Sequence, residues 1–223
     1  MIEDVIEINP FNKIEISFRE PVVLPKTIPI NVIESILVEA YSKLKSSETE
    51  YSKKTSVRDI AVLELLFATG ARVSEVCSLT PSSVNLDNHT VKFYGKGSKE
   101  RIIQIENLNV RKALNNYVNV FDEEIKASEY FFLNRLHNRL SEQSVREMIR
   151  KYTKLAEINI HITPHMFRHT FATLLLEEDV DIRYIQRLLG HSSITTTQIY
   201  THVAMSKQKE ILSAKHPRNK INI

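Results

Sequence analysis

The chain has 223 residues, 42% of them hydrophobic, which is enough for one packed domain or for one domain with a short arm. A single cysteine, Cys77, excludes an internal disulfide and a cysteine-rich zinc module, and it favours a reducing compartment. The net charge of +3 permits nucleic-acid binding only if the basic residues are concentrated on one face. An acidic N-terminus without a long apolar run argues against a signal peptide or a membrane span, so we expect a soluble, cytoplasmic protein.

The N-terminal part of the chain differs in character from the rest. Residues 1–29 contain four prolines between short β-prone pieces, and this pattern predicts an extended arm or linker. A helical pattern follows over Ile30–Leu44. The polar, serine-containing stretch Lys45–Thr55 predicts a surface loop.

The next segment is expected to form the core of the domain. Val57–Thr69 is strongly apolar and predicts a deeply buried helix, which Gly70 would end in a left-handed conformation. A short helix is expected from about Arg72 to Leu79. Two β-prone runs, Thr90–Tyr94 and Arg101–Ile105, flank a glycine-containing connector and predict an antiparallel hairpin.

Beyond the hairpin the pattern is helical almost to the end of the chain. Three helix starts are well signalled: Ser141 and Asp181 are capping residues, and Thr163 places a capping hydroxyl before a proline at the first helical position. Gly190 would close the helix that Asp181 starts. The fold class is therefore mainly α with a small antiparallel β-sheet. Approximate helices are 107–119, 141–156, 164–177, 181–189, 194–200 and 203–214.

One helix start carries a candidate anion site with a base in it. His165 and Arg168 are three residues apart and share a helix face, close to an N-terminus that favours an anion and a neutral imidazole. A zinc site is an alternative, because His161, His165 and His169 are spaced by four. Pro164 interrupts that pattern and Arg168 adds a cation to it, so no metal site is expected.

Two further basic residues lie upstream. Arg72 follows the break at Gly70, where it can reach outward, and Glu75 can hold its guanidinium; the alternative is a capping salt bridge. Lys96, between two glycines at the hairpin tip, can approach a phosphate closely, although such tips are usually only solvated. The pattern of a phosphate-binding loop is absent, so ATP binding is not expected.

The C-terminal part supplies two more candidates. His191 follows Gly190 in a turn from which its ring can point into a cleft, although such pairs are often without a role. Tyr200 lies in a run of β-branched residues with weak helix propensity. Taken alone it suits a packing tyrosine better than a nucleophile, but a weak segment suits a side chain that must enter and leave a site.

Taken together, these segments resemble the tyrosine recombinases of the Xer and phage-integrase type, over roughly residues 24–218. The matching boxes are RDIAVLELLFATGARVSEVCSL at 58–79, GKGSKER, PHMFRH, LLGHSS and TTTQIYTHV. The resemblance implies the catalytic-domain fold of that family, which breaks and rejoins DNA. It also implies Arg72, Lys96, His165, Arg168, His191 and Tyr200 as catalytic residues, with Glu75 and His169 in support.

The resemblance also implies a domain organisation. Residues 1–29 resemble the linker between the family's N-terminal core-binding domain and its catalytic domain, and the core-binding domain itself is not expected in this chain. Residues 30–223 would form the catalytic domain with a C-terminal helix and tail. The chain therefore looks like a C-terminal fragment or an unusually short member. Asp179 stands where the family usually has glycine, a position that Asp tolerates.

The implied activity is site-specific recombination or integration through a 3′-phosphotyrosyl intermediate. Arg72 and Arg168 would clamp the phosphate oxygens, and His191 would donate a further hydrogen bond to them. His165 would accept the proton of the tyrosine, and Lys96 would protonate the leaving 5′-oxygen. No metal, ATP or other cofactor is expected.

The implied partner is double-stranded DNA, on which a free monomer would assemble into a homotetramer. No membrane or small-molecule substrate is expected, and the setting would be a bacterial-type cytoplasm, associated with the nucleoid. Three alternatives stay open: an enzyme similar to type IB topoisomerases, a non-catalytic DNA-binding regulator on the same scaffold, and a fragment that is inactive without its other half.

Overall fold

The computed structural model describes residues 26–95 and 100–190. These residues form seven α-helices and a three-stranded antiparallel sheet in the order β1-β2-β3, so the predicted fold class is confirmed. The helices are α1 (Ile30–Lys45), α2 (Glu50–Thr69), α3 (Val73–Cys77), α4 (Leu108–Lys126), α5 (Glu142–Leu155), α6 (Pro164–Glu177) and α7 (Ile182–Leu189). The strands are β1 (Val84–Asn85), β2 (Thr90–Tyr94) and β3 (Glu100–Gln104), and a 3₁₀ turn spans Pro81–Ser83.

Helix α2 is the centre of the core, as its apolar sequence predicts. Consecutive residues from Ile60 to Leu66 are buried around the whole helix, which is the burial expected when a helix has neighbours on every side. It packs against α1, α4 and α6. Because the helix is held so completely, its C-terminal end at Gly70 is a fixed point for the residues that follow.

The predicted loop Lys45–Thr55 is wrong over its second half, because α2 begins at Glu50. The Thr49 hydroxyl caps this end by accepting a hydrogen bond from the backbone N–H of Ser52 at 3.1 Å. The first turns face solvent and therefore lack the apolar periodicity by which a helix is recognised. Lys54 extends this polar end to α4 through an ion pair of 2.8 Å with Glu124.

The predicted hairpin is present, with β3 one residue earlier than expected. In its register Val91 is paired with Ile103 and Phe93 with Arg101. The side chains of Val91, Phe93 and Ile103 are buried, so one face of the hairpin packs on the helices. The tip, residues 96–99, lies outside the described residues.

Helix α4 is longer than the predicted 107–119. It continues to Lys126 across a local break at Phe121, where the backbone is not helical. Tyr117 holds the following loop against this helix: its hydroxyl donates to the carbonyl of Phe131 at 2.9 Å and accepts the N–H of Leu133 at 3.0 Å. The extra helical turns bury Phe121 and Ile125, and the Phe121 ring centre lies 4.7 Å from that of Tyr117.

The predicted caps of the last three described helices are confirmed at two of three positions. Ser141 accepts the N–H of Ser144, and Asp181 accepts the N–H of Arg183. Thr163 makes no side-chain cap; the N–H of Met166 donates to its backbone carbonyl instead, at 3.0 Å. Met166 is the third helical residue, whose N–H a capping hydroxyl would accept, and the backbone carbonyl takes that N–H instead. The predicted helices 194–200 and 203–214 lie outside the described residues.

The end of the predicted arm is joined to the domain. Ile28 is buried, and its N–H donates to the Thr170 hydroxyl of α6 at 2.7 Å. Residues 1–25 lie outside the described residues. Within the described residues, no helix combines the length and the apolar character needed to cross a membrane.

Glu64 of α2 gives a testable prediction about stability. Burial raises the pKa of its carboxyl, although a hydrogen bond from the Tyr41 hydroxyl at 2.8 Å opposes the rise. When folding raises the pKa of a carboxyl, the free energy of unfolding of the protein falls as the pH rises through that pKa, because the folded state resists losing the proton. We therefore expect Glu64→Gln to raise the free energy of unfolding at pH 7 by about 1 kcal/mol.

Urea unfolding at pH 7 and at pH 4 measures this effect. The gain should disappear near pH 4, where the wild-type carboxyl is also protonated. Glu106→Gln, at an exposed position, is the matched control and should leave both unfolding midpoints unchanged. A Glu64→Gln variant that is less stable than the wild type at pH 7 would contradict the argument.

Candidate active site

Arg168 occupies the junction of three helices. Its side chain lies in α6 and the residue is only 4% exposed. One guanidinium nitrogen, Nη1, donates to the carbonyl of Gly70 at 2.8 Å, and Nη2 donates to the carbonyl of Leu189 at 2.6 Å. Both carbonyls are at helix C-termini, where partial negative charge accumulates. The arginine therefore binds the ends of α2 and α7 together.

Gly70 makes the turn that follows α2. Its φ of +57° lies in the left-handed region, and an added Cβ would lie 2.6 Å from Cδ1 of Phe171. A larger residue would thus be opposed by both the backbone and the packing. This turn places Arg72 two residues beyond the carbonyl that Arg168 holds.

Arg72 and Glu75 form the start of α3. The backbone N–H of Arg72 donates to Oε2 of Glu75 at 2.7 Å, and its Nη1 donates to Oε1 at 2.9 Å. The sequence left open whether Glu75 holds the guanidinium or caps the helix, and the geometry combines the two. The Arg72 side chain is 42% exposed, so it is accessible from solvent, while the Arg72 backbone is fixed by its hydrogen bond to Glu75.

Arg101 is the functional candidate that sequence reasoning missed. From β3, its Nη1 and Nη2 donate to Oε1 and Oε2 of Glu75 at 2.9 and 2.7 Å, in a forked ion pair. Its guanidinium lies 4.9 Å from the centre of the Phe93 ring. Alternation along β3 places Arg101 on the same face as the buried Ile103, and this is the signal that could have identified it.

Glu75 is ionised in this environment. Burial opposes the charge, but the hydrogen bonds and charges of Arg101 and Arg72 outweigh it, and the pKa of the Glu75 carboxyl lies below its ordinary value. Arg72 and Arg101 both pair with Glu75, and Arg168 donates to the carbonyl of Gly70 at the neighbouring turn. Guanidinium groups of this kind bind phosphate through forked, charge-assisted hydrogen bonds.

The two histidines of α6 occupy different environments. His165 is exposed in the first turn, directly after Pro164, so its ring is accessible at the helix N-terminus. His169 is buried one turn further on. Among the described side chains, no group of three His, Cys, Asp or Glu could hold a metal ion.

Three of the predicted catalytic residues, Lys96, His191 and Tyr200, lie outside the described residues. The nearest described position to His191 is Gly190, the left-handed residue that ends α7. An added Cβ at Gly190 would lie 3.2 Å from Nη1 of Arg101. The structure thus brings Arg72, Glu75 and Arg168 to the turn after α2, with His165 at the start of α6.

Comparison with known proteins identifies relatives that match most of the chain. The model of the phage integrase family matches residues 34–207. A tyrosine recombinase of Agathobacter rectalis is 57% identical over 216 residues, covering 97% of this chain and 71% of the relative. The tyrosine recombinase XerC of Bacillus subtilis is 39% identical over 223 residues, covering 98% of this chain and 70% of the relative.

Solved structures agree with the sequence matches. The crystal structure of XerA recombinase superimposes with a TM-score of 0.68 at 30% identity, covering 92% of this chain and 67% of that one. The XerH recombinase, bound to a palindromic difH substrate in a post-cleavage complex, has a TM-score of 0.71 at 24% identity. That match covers 86% of this chain and 54% of XerH, and it bears on the fold alone.

Proposed function

The chain belongs to the phage integrase family and is a site-specific tyrosine recombinase, and on that premise we propose that Tyr200 cuts DNA at a phosphate held between Arg72 and Arg168. The observation that carries this proposal is the meeting of the two arginines at the turn after α2. Arg168 is fixed to the carbonyl of Gly70, and Arg72 extends from the same turn with its base held by Glu75.

The arginines would act on the charge of the phosphodiester. The scissile phosphate is anionic, and negative charge on its non-bridging oxygens increases when a fifth oxygen attacks phosphorus. Forked, charge-assisted hydrogen bonds from Arg72 and Arg168 would stabilise that charge. Since both guanidinium groups are held before DNA arrives, little reorganisation would be needed during the reaction.

Bond making and bond breaking would proceed without a redox step. The Tyr200 hydroxyl oxygen bonds to phosphorus, and its proton passes to His165 directly or through water. The bond between phosphorus and the 5′-oxygen breaks, and that oxygen takes a proton from Lys96. The products are a 3′-phosphotyrosyl ester and a free 5′-hydroxyl. Attack by the 5′-hydroxyl of a partner strand reverses these steps and rejoins the DNA without ATP.

The remaining predicted residues would complete the site. His191 would donate a hydrogen bond to the phosphate. The buried His169 would help to hold α6 in place, the helix that carries His165 and Arg168. Arginines here would supply the electrostatic stabilisation for which other phosphoryl-transfer enzymes use a metal ion. Residues 1–29 would be the linker to a core-binding domain, and residues 30–223 the catalytic domain.

DNA is the partner. Structural neighbours include the XerH complexes with difH and a lambda integrase dimer bound to a COC′ core site. Exchange between two duplexes requires four strand cleavages, so we propose that free monomers assemble into a homotetramer on DNA. The chain would act at the nucleoid of a bacterial-type cytoplasm, in mobile-element integration or chromosomal recombination.

Trapping the covalent intermediate tests this function. The 223-residue chain would be incubated with nicked duplexes that tile the recombination sites of its host element, with EDTA present. A nick next to the scissile phosphate lets the short 5′-hydroxyl fragment diffuse away, so cleavage cannot be reversed. We expect a covalent protein–DNA band in denaturing electrophoresis. A band from an N-terminally extended version alone would show that the site needs its other half. DNA binding without a band from either protein would contradict the cleavage mechanism and support the regulator alternative.

A further inference from the structure

We propose that Arg101 is a positioning residue for the phosphate clamp, which consists of the guanidinium groups of Arg72 and Arg168. Arg101 acts on Arg72 through Glu75. The inference rests on the proposed function, because it assigns a role within the same site. Arg101 is 26 residues from Glu75 in the sequence, yet it donates to both carboxylate oxygens of that residue. Glu75 in turn accepts from the backbone N–H and from Nη1 of Arg72. The three residues form a continuous chain of hydrogen bonds from the hairpin to the clamp.

The guanidinium of Arg101 is committed to the carboxylate of Glu75. Its side chain is only 8% exposed, and both terminal nitrogens of its guanidinium are directed at Glu75. The Arg72 side chain, which donates to the same carboxylate, is accessible. Arg101 is therefore placed to act on a bound phosphate through Glu75 and Arg72, as a positioning residue does.

Geometry explains why an arginine is suited to this role. Arg72 alone would give Glu75 one donor at each carboxylate oxygen. The forked pair from Arg101 adds a second donor to each oxygen, which restrains the plane of the carboxylate further. With the plane of Glu75 fixed by Arg101, the direction in which Oε1 accepts from Arg72 is fixed as well. The contact of the Arg101 guanidinium with the Phe93 ring, 4.9 Å from the ring centre, restrains the fork further.

A purely stabilising role accounts for this arrangement less well. Burying an ion pair removes both charges from water, and such pairs often contribute little to stability compared with apolar side chains of the same size. The Nε atom of Arg101 is also buried without a hydrogen-bond partner among the described residues, which adds a desolvation cost. A costly cation retained beside Arg72 is better explained by the orientation it imposes.

Arg101 also links the hairpin to the end of α7. Gly190 packs against it so closely that an added Cβ would lie 3.2 Å from its Nη1 and 3.3 Å from its Cδ. The carbonyl of the preceding residue, Leu189, is the one that Arg168 holds. Arg101 thus contacts both the partner of Arg72, which is Glu75, and the helix end that Arg168 holds.

The test compares cleavage of two substrates by variants of the full chain. One nicked duplex carries the normal scissile phosphate, and the other carries a neutral methylphosphonate there, which has no negative charge for an arginine to stabilise. Rate constants for adduct formation are measured at saturating protein, so that DNA affinity does not enter. On the normal phosphate we expect Arg101→Ala to be slower by about 10- to 100-fold, the usual effect of a small misplacement at a reacting centre.

The substrate comparison separates positioning from a general loss of structure. On the methylphosphonate, Arg101→Ala should react at close to the wild-type rate. Combining it with Arg72→Ala should slow the normal reaction hardly more than Arg72→Ala alone, because both changes disable the same group. Arg58→Ala is the matched control, since Arg58 also pairs with a buried carboxylate, that of Asp59 at 2.7 Å, but within α2. It should react normally with both substrates.

Three results would overturn the proposal: equal losses on both substrates, losses from Arg101 and Arg72 that multiply, or full activity of Arg101→Lys. The lysine variant keeps the charge but cannot bridge both oxygens, so it should be slowed on the normal phosphate only. If Arg101→Ala does not fold, the lysine variant can replace it in the comparison of the normal phosphate with the methylphosphonate. Failure of the proposed function looks different, because the wild-type chain would then form no adduct on either duplex.

Discussion

Phenylalanine at position 200 is expected to abolish the covalent protein–DNA adduct while leaving DNA affinity nearly unchanged. The substitution removes only the hydroxyl that would attack phosphorus and keeps the ring. Loss of a nucleophile typically lowers turnover by on the order of 10⁴-fold or more. Affinity should persist, because contacts to the DNA backbone supply most of it. Adduct formation in denaturing electrophoresis and a binding titration at fixed salt measure the two quantities separately.

Other tyrosines provide strong controls for this experiment. The hydroxyls of Tyr41 and Tyr152 donate to carboxylates, and that of Tyr117 donates to a backbone carbonyl. Burial, with the neighbouring carboxylates for the first two, raises the pKa of each phenol, so each is a poorer nucleophile than a free tyrosine.

Tyr94, at the end of β2, and Tyr184, which is 62% exposed on α7, are the accessible tyrosines closest in sequence to the described part of the site. We expect Tyr94→Phe and Tyr184→Phe to form the adduct at the wild-type rate. An adduct that persists in Tyr200→Phe but disappears in one of these variants would move the nucleophile to that position.

The core of the fold was readable from the sequence because its signals are local. The apolar run of α2 predicts burial on all sides, and Gly70 and Gly190 predict the left-handed ends of their helices, with φ values of +57° and +65°. Asp179 is also left-handed, with φ of +63°, at the position where the family resemblance calls for glycine. The start of α2 was missed because its polar first turns have no apolar face to detect.

The site was only partly readable, because its decisive contacts join residues far apart in the sequence. That Glu75 is near Arg72 follows from a spacing of three residues. The partners of Arg168 could not be predicted, since they are backbone carbonyls 98 and 21 residues away. Arg101 was overlooked because an arginine in a hairpin suggests solvent, and only the pairing of its strand shows that it faces the core.

Arg168→Lys is the second substitution with a large expected effect. The arginine fork joins two carbonyls at different helix ends, at 2.8 and 2.6 Å. A lysine keeps the positive charge, but its single ammonium on a flexible stem cannot reproduce the planar geometry. We expect adduct formation to fall by about 10²–10³-fold, as on removal of one donor to a transition-state oxyanion.

The same substitution should also lower stability, and the two effects have different origins. A carbonyl left without its charged donor in the interior costs about 1–3 kcal/mol, which urea unfolding would detect. Arg58→Lys applies the same chemical change to another arginine that donates to a buried carboxylate and to a distant carbonyl, that of Leu133. It should lower stability without slowing cleavage.

The two arginine-to-lysine variants together decide what the residue at 168 does. If both lose stability and only Arg168→Lys loses cleavage, the guanidinium acts on the phosphate as well as on the helix ends. If Arg168→Lys cleaves at the wild-type rate once its fraction folded is taken into account, its function is to join α2 to α7. The clamp would then consist of Arg72 with other donors. We expect the first result, because a guanidinium has five N–H groups and can therefore hold backbone carbonyls and a phosphate oxygen at the same time.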